Sequence, residues 1–434
     1  MSPTSRFHSP RGGSNLWAQS DHNIDAWVRG AQLEVRPLTM EYAPILACDA
    51  DCPLCPFKKS RDEQCRGLIR ESVFAAEDNV ASSNCETARK ILECAREAGI
   101  RGVLFTGGGE PLKWEPLPEM LEYSRSLGMA NGLYTNGFQL GRVSGLASRL
   151  MSPSMGLVFV RVSVNTASPR ATRIHWGLGV EEIENQRVGL SRLVEARDGA
   201  MSQYHALGQR VPSIQISTIV DKNTVGDLPI ICETIAGIMG KGVTRGDEDV
   251  VVVRPLTIHG RKEYSEKDHQ DSVIDRIVGV CGEAGAGRRL LESAGLGVFL
   301  GFGLGAIESR ETGSYSDLIH LEYSRRRVSL ANGLFLTVSP DGSVFPSTEY
   351  NCKKGWELGN LTKEAVNSIW CSSRRREVLD YFNSHNWGPA VSQATARTNR
   401  LDKIADAIKN GELGTHEITR IREASYTSAP LLLD

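Results

Sequence analysis

Between about residue 39 and residue 310, short runs of apolar, β-branched residues alternate with segments whose apolar positions recur at helical spacing. The runs at 40–47, 102–106, 132–135, 158–164, 213–220 and 250–254 are the expected strands. Segment 85–98 places Ala88, Ile91, Leu92 and Ala95 on one helical face, behind the capping triplet Ser82-Ser83-Asn84. Segments 117–127, 180–196, 228–239 and 268–284 carry the same signature. Six such units with buried-looking strands predict an α/β fold, a parallel sheet covered by helices. Glycines at 295, 297, 301, 303 and 305 surround Val298-Phe299-Leu300. Without a clean strand-to-helix context, a glycine-bounded strand or bend explains them better than a phosphate loop.

In parallel α/β folds, ligands collect at the carboxyl ends of the strands. Here the first strand runs into Cys48 and the second into Gly107-Gly108-Gly109-Glu110-Pro111. The third leads to Asn136-Gly137, the fourth to Ser163 and Asn165, the fifth to Ser217 and Thr218, and the sixth to Arg254-Pro255. Gly, Asn and Ser also serve ordinary turns, so no single exit is decisive. Their coincidence across six units predicts one shared mouth.

Cys48, Cys52 and Cys55 stand in the run Leu-Ala-Cys-Asp-Ala-Asp-Cys-Pro-Leu-Cys-Pro. The spacing C-x3-C-x2-C is one thiolate short of the four that usually close a [4Fe–4S] cube, and it leaves one iron open to another ligand. A zinc site would need a second C-x2-C pair or a His pair, and the nine histidines are scattered singly. At the second exit, glycines open the backbone to a ligand. A phosphate loop would continue into Lys-Ser/Thr, whereas Glu110-Pro111-Leu112 follows, which suits a cationic or amine ligand.

Composition narrows the classes. The 434 residues, 40% hydrophobic and 24% charged, describe an ordinary globular protein. A net charge of −2 provides no basic field for nucleic acid. The short basic runs 325–327 and 374–376 read as solvated helix faces. No apolar stretch reaches membrane-span length, and the polar start has no apolar h-region, so neither membrane nor secretion is expected. Ten cysteines then predict a reducing cytoplasm, where thiols stay available for metal.

The cysteine run and segment 103–112 (Val-Leu-Phe-Thr-Gly-Gly-Gly-Glu-Pro-Leu) resemble the cluster loop and GGE motif of the radical S-adenosylmethionine (radical SAM) enzymes. Tyr134-Thr135-Asn136-Gly137, Val162-Ser163-Val164-Asn165, segment 214–218 and segment 252–255 are similar to that family's later strand exits, more loosely. The resemblance covers roughly residues 39–260 and implies a partial (β/α)6, TIM-like barrel. It implies that Cys48, Cys52 and Cys55 hold one [4Fe–4S] cluster whose open iron chelates the methionine moiety of S-adenosyl-L-methionine. Gly107, Gly108, Gly109 and Glu110 would contact its amino group, while Asn136, Ser163, Asn165, Ser217 and Arg254 would line the site. Arg173 either pairs with the cofactor carboxylate or is a surface residue at a helix start. The family commonly has an aromatic residue before the third cysteine; this chain has Leu54, so Phe57 is the candidate cover for the adenine. The implied chemistry is reductive cleavage of the sulfonium to a 5′-deoxyadenosyl radical, fed by an electron donor such as flavodoxin or ferredoxin.

Segment 333–346 reads as a β-hairpin turning at Asp341-Gly342, followed by Leu358-Gly359-Asn360-Leu361 and a helix containing Ile369-Trp370. This pattern is similar to the SPASM extension of many radical SAM enzymes, which binds auxiliary clusters. Ser347 stands where that extension begins its cysteines, and only Cys352 and Cys371 are nearby, so a SPASM-like unit without an auxiliary cluster is expected. A complete cluster would need Cys232 or Cys281 from elsewhere. Cys352 and Cys371 are either small buried hydrophobes or hydrogen-atom donors to a substrate radical. The expected organisation is an N-terminal extension (1–38), a barrel core (39–310), a small α+β extension (311–385) and a tail (386–434) with a helix-like stretch at 401–410. The leading substrate expectation is a polar metabolite of sugar or aminoglycoside type, with a ribosomally made peptide as the rival. A non-catalytic iron–sulfur carrier is the third reading.

Overall fold

The computed structural model describes residues 20–29, 31–52, 55, 82–240, 249–256, 267–300, 335–346, 355–384 and 406–419. Seven strands follow one another in parallel: β1 (Thr39–Tyr42), β2 (Gly102–Phe105), β3 (Ala130–Thr135), β4 (Leu157–Ser163), β5 (Ser213–Val220), β6 (Val250–Pro255) and β7 (Gly297–Leu300). The six expected strands are all present, and the glycine-flanked run at Val298 is a seventh, paired with β6. At the opposite edge β8 (Phe335–Val338) lies parallel to β1, and β9 (Ser343–Phe345) and β10 (Gly359–Asn360) extend the sheet antiparallel. The C-terminal hairpin therefore continues the barrel sheet.

Helices fill the intervals: α1 (Asp21–Val28), α2 (Cys85–Glu97), α3 (Leu117–Ser126), α4 (Phe138–Arg142), α5 (Leu146–Leu150), α6 (Pro169–Trp176) and α7 (Glu181–Ala206). After these come α8 (Leu228–Met239), α9 (Lys267–Cys281), α10 (Ala286–Ser293), α11 (Val366–Trp370) and α12 (Ser373–Ser384). The Asn84 side chain accepts from Thr87 N at 2.8 Å, and the four apolar residues expected to face inward from α2 are buried. The expected helix at 180–196 runs on to Ala206, because Arg197 is buried against Asp249 and Tyr204 packs into the core. Asp249 also accepts from Ile214 N at 2.7 Å, which fixes the start of β5 beside that of β6.

The two faces of the sheet differ. Met40, Tyr42, Val103, Phe105, Val160, Val162, Ile214 and Ile216 join the core beneath the helices. The other face carries Leu104, Tyr134 and Phe159, with Arg161 donating to Tyr134 Oη at 2.8 Å and to Gln215 Oε1 at 2.6 Å. Tyr134, Arg161 and Gln215 share one register level on β3, β4 and β5. On this face Leu104 and Phe159 share one register level with Glu41 of β1, and Tyr134, Arg161 and Gln215 make a polar layer nearer the strand exits.

β1 is shorter than its apolar run because the chain turns outward after Tyr42. Ala43 N donates to Val338 O at 2.9 Å, and Ile45 bridges to Ser82. The hairpin turn joins the same end: Tyr42 Oη donates to Ser83 Oγ, which donates to Pro340 O, while Trp114 Nε1 donates to Ser83 O at 2.8 Å. Gly342, at φ +85°, makes that turn possible. Helices α11 and α12 pack at the other end of β1. Trp370 Nε1 donates to Val35 O at 2.8 Å, and Arg375, stacked 4.3 Å over Trp370, donates to Leu33 O at 3.3 Å. Among the described residues no helix is long and apolar enough to cross a membrane.

Candidate cluster and cofactor site

The loop leaving β1 carries all three cysteines of the run, each half-buried. Ala50 is buried between Phe138 and Trp176, whose rings meet edge to face at 5.4 Å, and Cys48 and Cys52 pack beside them. Ala50 N lies 3.4 Å from Cys48 Sγ, and Cys55 N donates to Cys52 O at 3.1 Å, turning the chain between the second and third cysteines. Burial pushes the Cys48 thiol up to about 11, with smaller contributions from Glu110, Asp49 and Cys55. Metal binding would remove that proton. Among the described residues no three potential ligands are gathered at coordination distance. Pro53, Leu54 and Phe57 lie outside the described residues.

The second exit packs directly on this loop. Glu110 N donates to Ala47 O at 2.8 Å. A Cβ on Gly109 would stand 2.1 Å from Ala47 O, and one on Gly107 would stand 1.8 Å from Gly109 O, so both positions exclude a side chain. Gly108 is buried between them. The Glu110 carboxylate points away from this turn, toward β3. Its Oε1 accepts from Leu112 N at 3.0 Å and Thr135 Oγ1 at 2.6 Å, and its Oε2 from Asn136 N at 2.8 Å. Burial raises its pKa to about 7 against the opposing pull of these donors.

That shift has a sign that can be measured. The neutral carboxyl's contribution to stability is full below about 4.5 and is lost as pH rises through about 7. Glu110→Gln turns an amide N–H toward an existing donor in either orientation, at a cost of about 1–3 kcal/mol. The variant's deficit, measured by denaturant unfolding, is expected to be largest at acid pH and to narrow toward pH 7.

The third exit completes the junction. Asn136 Nδ2 donates to Asp49 Oδ1 at 2.7 Å and lies 3.9 Å from Cys48 Sγ. Gln186 from α7, buried, donates to Asn136 O at 2.6 Å and to Ser163 O at 2.8 Å, joining the third exit to the fourth. Asn165 accepts from Ile219 N at 2.8 Å and lies 2.9 Å from His175 Nε2, and Val164 N donates to Ser217 O at 2.9 Å. Burial lowers His175 to about 4, so it is neutral near pH 7. Arg254 is half-buried at the sixth exit, in register with Ile219. Hydrogen bonds therefore link the first five exits into one rim.

Comparison with known proteins gives this rim a context. A family model of the SPASM iron–sulfur cluster-binding domain matches residues 332–392. PqqA peptide cyclase of Xanthomonas campestris is 22% identical over 350 residues, covering 79% of this chain and 76% of that protein. Its counterpart from Xanthomonas oryzae is 23% identical over the same shares. Streptococcus suis SuiB bound to S-adenosylmethionine superposes with a TM-score of 0.51 at 14% identity, over 78% of this chain and 66% of that one, just under two thirds. SuiB bound to its precursor peptide SuiA gives a TM-score of 0.53 at 14% identity, over 83% of this chain and 70% of that one. These comparisons support a radical SAM type of barrel joined to a SPASM-like extension.

For a radical SAM cluster the donor set fits: three soft thiols on one loop, beside a wall of Ala50, Phe138 and Trp176. Two expected residues stand elsewhere. Arg173 is exposed on α6, one helical position away from the faces that bury Thr172 and Trp176, so it is a surface residue. Cys371 is exposed at the end of α11, which packs beside residue Val35 on the amino side of β1. The cluster loop leaves the carboxyl side, so Cys371 is not placed as a hydrogen donor at the mouth. Cys352 lies outside the described residues.

Cys232 and Cys281 face each other at 3.7 Å in the buried interface of α8 and α9 and supply no ligand to the extension. Five residues of the rim escape a reading of motifs: Asp49, Gln139, Arg142, His175 and Gln186. Only Asp49, next to Cys48, carries a local signal.

Proposed function

We propose that this chain is a radical SAM enzyme that modifies a peptide. The observation that carries the reading is the hydrogen-bonded junction of cysteine loop, glycine–glutamate loop and third strand exit at the carboxyl end of the sheet. Cys48, Cys52 and Cys55 hold the cluster, and the backbone of Gly107, Gly108 and Gly109 receives the amino acid end of S-adenosylmethionine, with Glu110 anchoring that turn to β3. Ser163, Asn165, Ser217 and Arg254 line the ribose and carboxylate side, and Phe57 covers the adenine. When bound, the cluster and S-adenosylmethionine supply one-electron cleavage of the sulfonium and abstraction of a substrate hydrogen atom. The chain's part is to orient the two and to keep water out, with Leu104 and Phe159 lying beneath the polar Tyr134–Arg161–Gln215 layer. Flavodoxin or ferredoxin supplies the electron, in the cytoplasm.

A peptide substrate is supported by the PqqA peptide cyclases, which align over 79% of the chain, and by the likeness in fold to SuiB, solved with a precursor peptide. These relatives favour the peptide over the polar metabolite expected from sequence alone. Anaerobically reconstituted protein, given S-adenosylmethionine, dithionite and candidate precursor peptides, is expected to release 5′-deoxyadenosine and change the mass of one peptide. An intact cluster with no 5′-deoxyadenosine would mark an electron carrier instead. Turnover of a sugar but of no peptide would refute the substrate class.

One cluster is the proposed count. The stretch matched by the SPASM model holds only Cys352 and Cys371. Iron and sulfide are expected near four per chain, since a [4Fe–4S] cube needs about four ligands of its own. Values near eight, measured after reconstitution, would establish an auxiliary cube.

A further inference from the structure

The three residues between Cys48 and Cys52 are each anchored to a helix. Asp51 N donates to Trp176 O at 2.8 Å at the end of α6, and Ala50 is buried against Phe138 and Trp176. Asp49 is the most heavily tied, with its side chain only 7% exposed. Its Oδ1 accepts from Asn136 Nδ2 at 2.7 Å, and its Oδ2 from Gln139 Nε2 at 2.9 Å and the Arg142 guanidinium at 2.8 Å. Arg142 in turn pairs with Glu182 on α7. One carboxylate thus ties the cysteine loop to α4 and, through Arg142, to α7.

The same bond aims a second contact. With its amide held by Asp49, Asn136 presents Nδ2 3.9 Å from Cys48 Sγ, while Ala50 N lies 3.4 Å from the same sulfur. We propose that Asp49 is a positioning residue that fixes Cys48 for cluster binding and directs the Asn136 amide at its sulfur, so that this pair sets both retention and reduction potential of the cluster. The inference rests on the cluster assignment above. Asn136 then acts on the cluster loop with its side chain and on Glu110 with its backbone N–H. N–H donors to a cluster thiolate spread its negative charge and favour the reduced state, which raises the potential. Residues that orient a metal ligand are typically worth about 10–100-fold in metal affinity.

The test uses reconstituted full-length protein, with iron release to a chelator and an EPR-monitored redox titration as readouts. Asp49→Ala is expected to release iron at least about tenfold faster than wild type. Asp49→Asn keeps an oxygen acceptor for Asn136 but turns its amide N–H toward Gln139 and Arg142, and is expected to recover only part of that loss. Asn136→Ala leaves Asp49 its bonds to Gln139 and Arg142 but frees Phe138 N, so it is expected to lower the potential while the apo protein keeps its far-ultraviolet circular dichroism and unfolds at a lower temperature. It also decides the matter if Asp49→Ala does not fold. Wild-type release rates in Asp49→Ala together with an unmoved potential in Asn136→Ala would overturn the proposal. If wild type itself assembles no cube, the cluster assignment fails instead.

Discussion

Cys52→Ala is expected to reduce 5′-deoxyadenosine formation to background and to leave iron well below four per chain. A three-cysteine site has no ligand to spare, because one corner of the cube must stay open for the cofactor. Removing the middle thiolate leaves two protein ligands, and the remaining thiols cannot hold a cube against chelation. The fold should survive, since Cys52 is half-buried at the margin of the small Ala50, Phe138 and Trp176 cluster and not in the main core. Far-ultraviolet circular dichroism close to wild type, together with lost iron absorbance, separates these effects. Cofactor cleavage by the cluster-free variant would contradict the mechanism.

What the sequence revealed and what it hid follow from the range of the contacts. The cysteine loop and the glycine–glutamate turn are local: their residue types and spacings state their chemistry before any fold is known. The strand exits were legible one level up, because parallel β/α units direct every exit to the same end. Partners chosen across the fold were not. Asp49 meets Gln139 and Arg142 some ninety residues later, and Gln186 joins two exits from the middle of α7. On sequence alone both look like solvated positions of ordinary polarity. His175 and Arg173 show the limit within one helix: two cationic types a half-turn apart, of which the less expected one faces Asn165. The hairpin at Asp341-Gly342 was readable from its turn residues, but its parallel pairing with β1 joins segments nearly three hundred residues apart. That pairing also decides Cys371, because it places α11 at the base of β1 and the hairpin turn at the rim.

Gly109→Ala and Gly199→Ala are the same chemical change, with opposite expected outcomes. Gly199 lies inside α7, where an added Cβ meets nothing within 4 Å. Alanine there removes backbone entropy from the unfolded chain and should stabilise the protein by about 0.5–1 kcal/mol. At Gly109 the added Cβ would lie 2.1 Å from Ala47 O and 2.6 Å from Leu46 C, both backbone atoms with no rotamer to relieve the contact. The turn must move away from the cysteine loop, which breaks the bond from Glu110 N to Ala47 O and carries Glu110 off Thr135 and Asn136. The three elements proposed to hold S-adenosylmethionine then no longer share one geometry. A displacement of about 1 Å in such a site commonly costs on the order of 100-fold. Single-turnover 5′-deoxyadenosine formation is therefore expected to slow by about 100-fold in Gly109→Ala and to be unchanged in Gly199→Ala. Equal rates in both variants would mean that the 107–110 turn does not position the cofactor, however closely it packs on the cysteine loop.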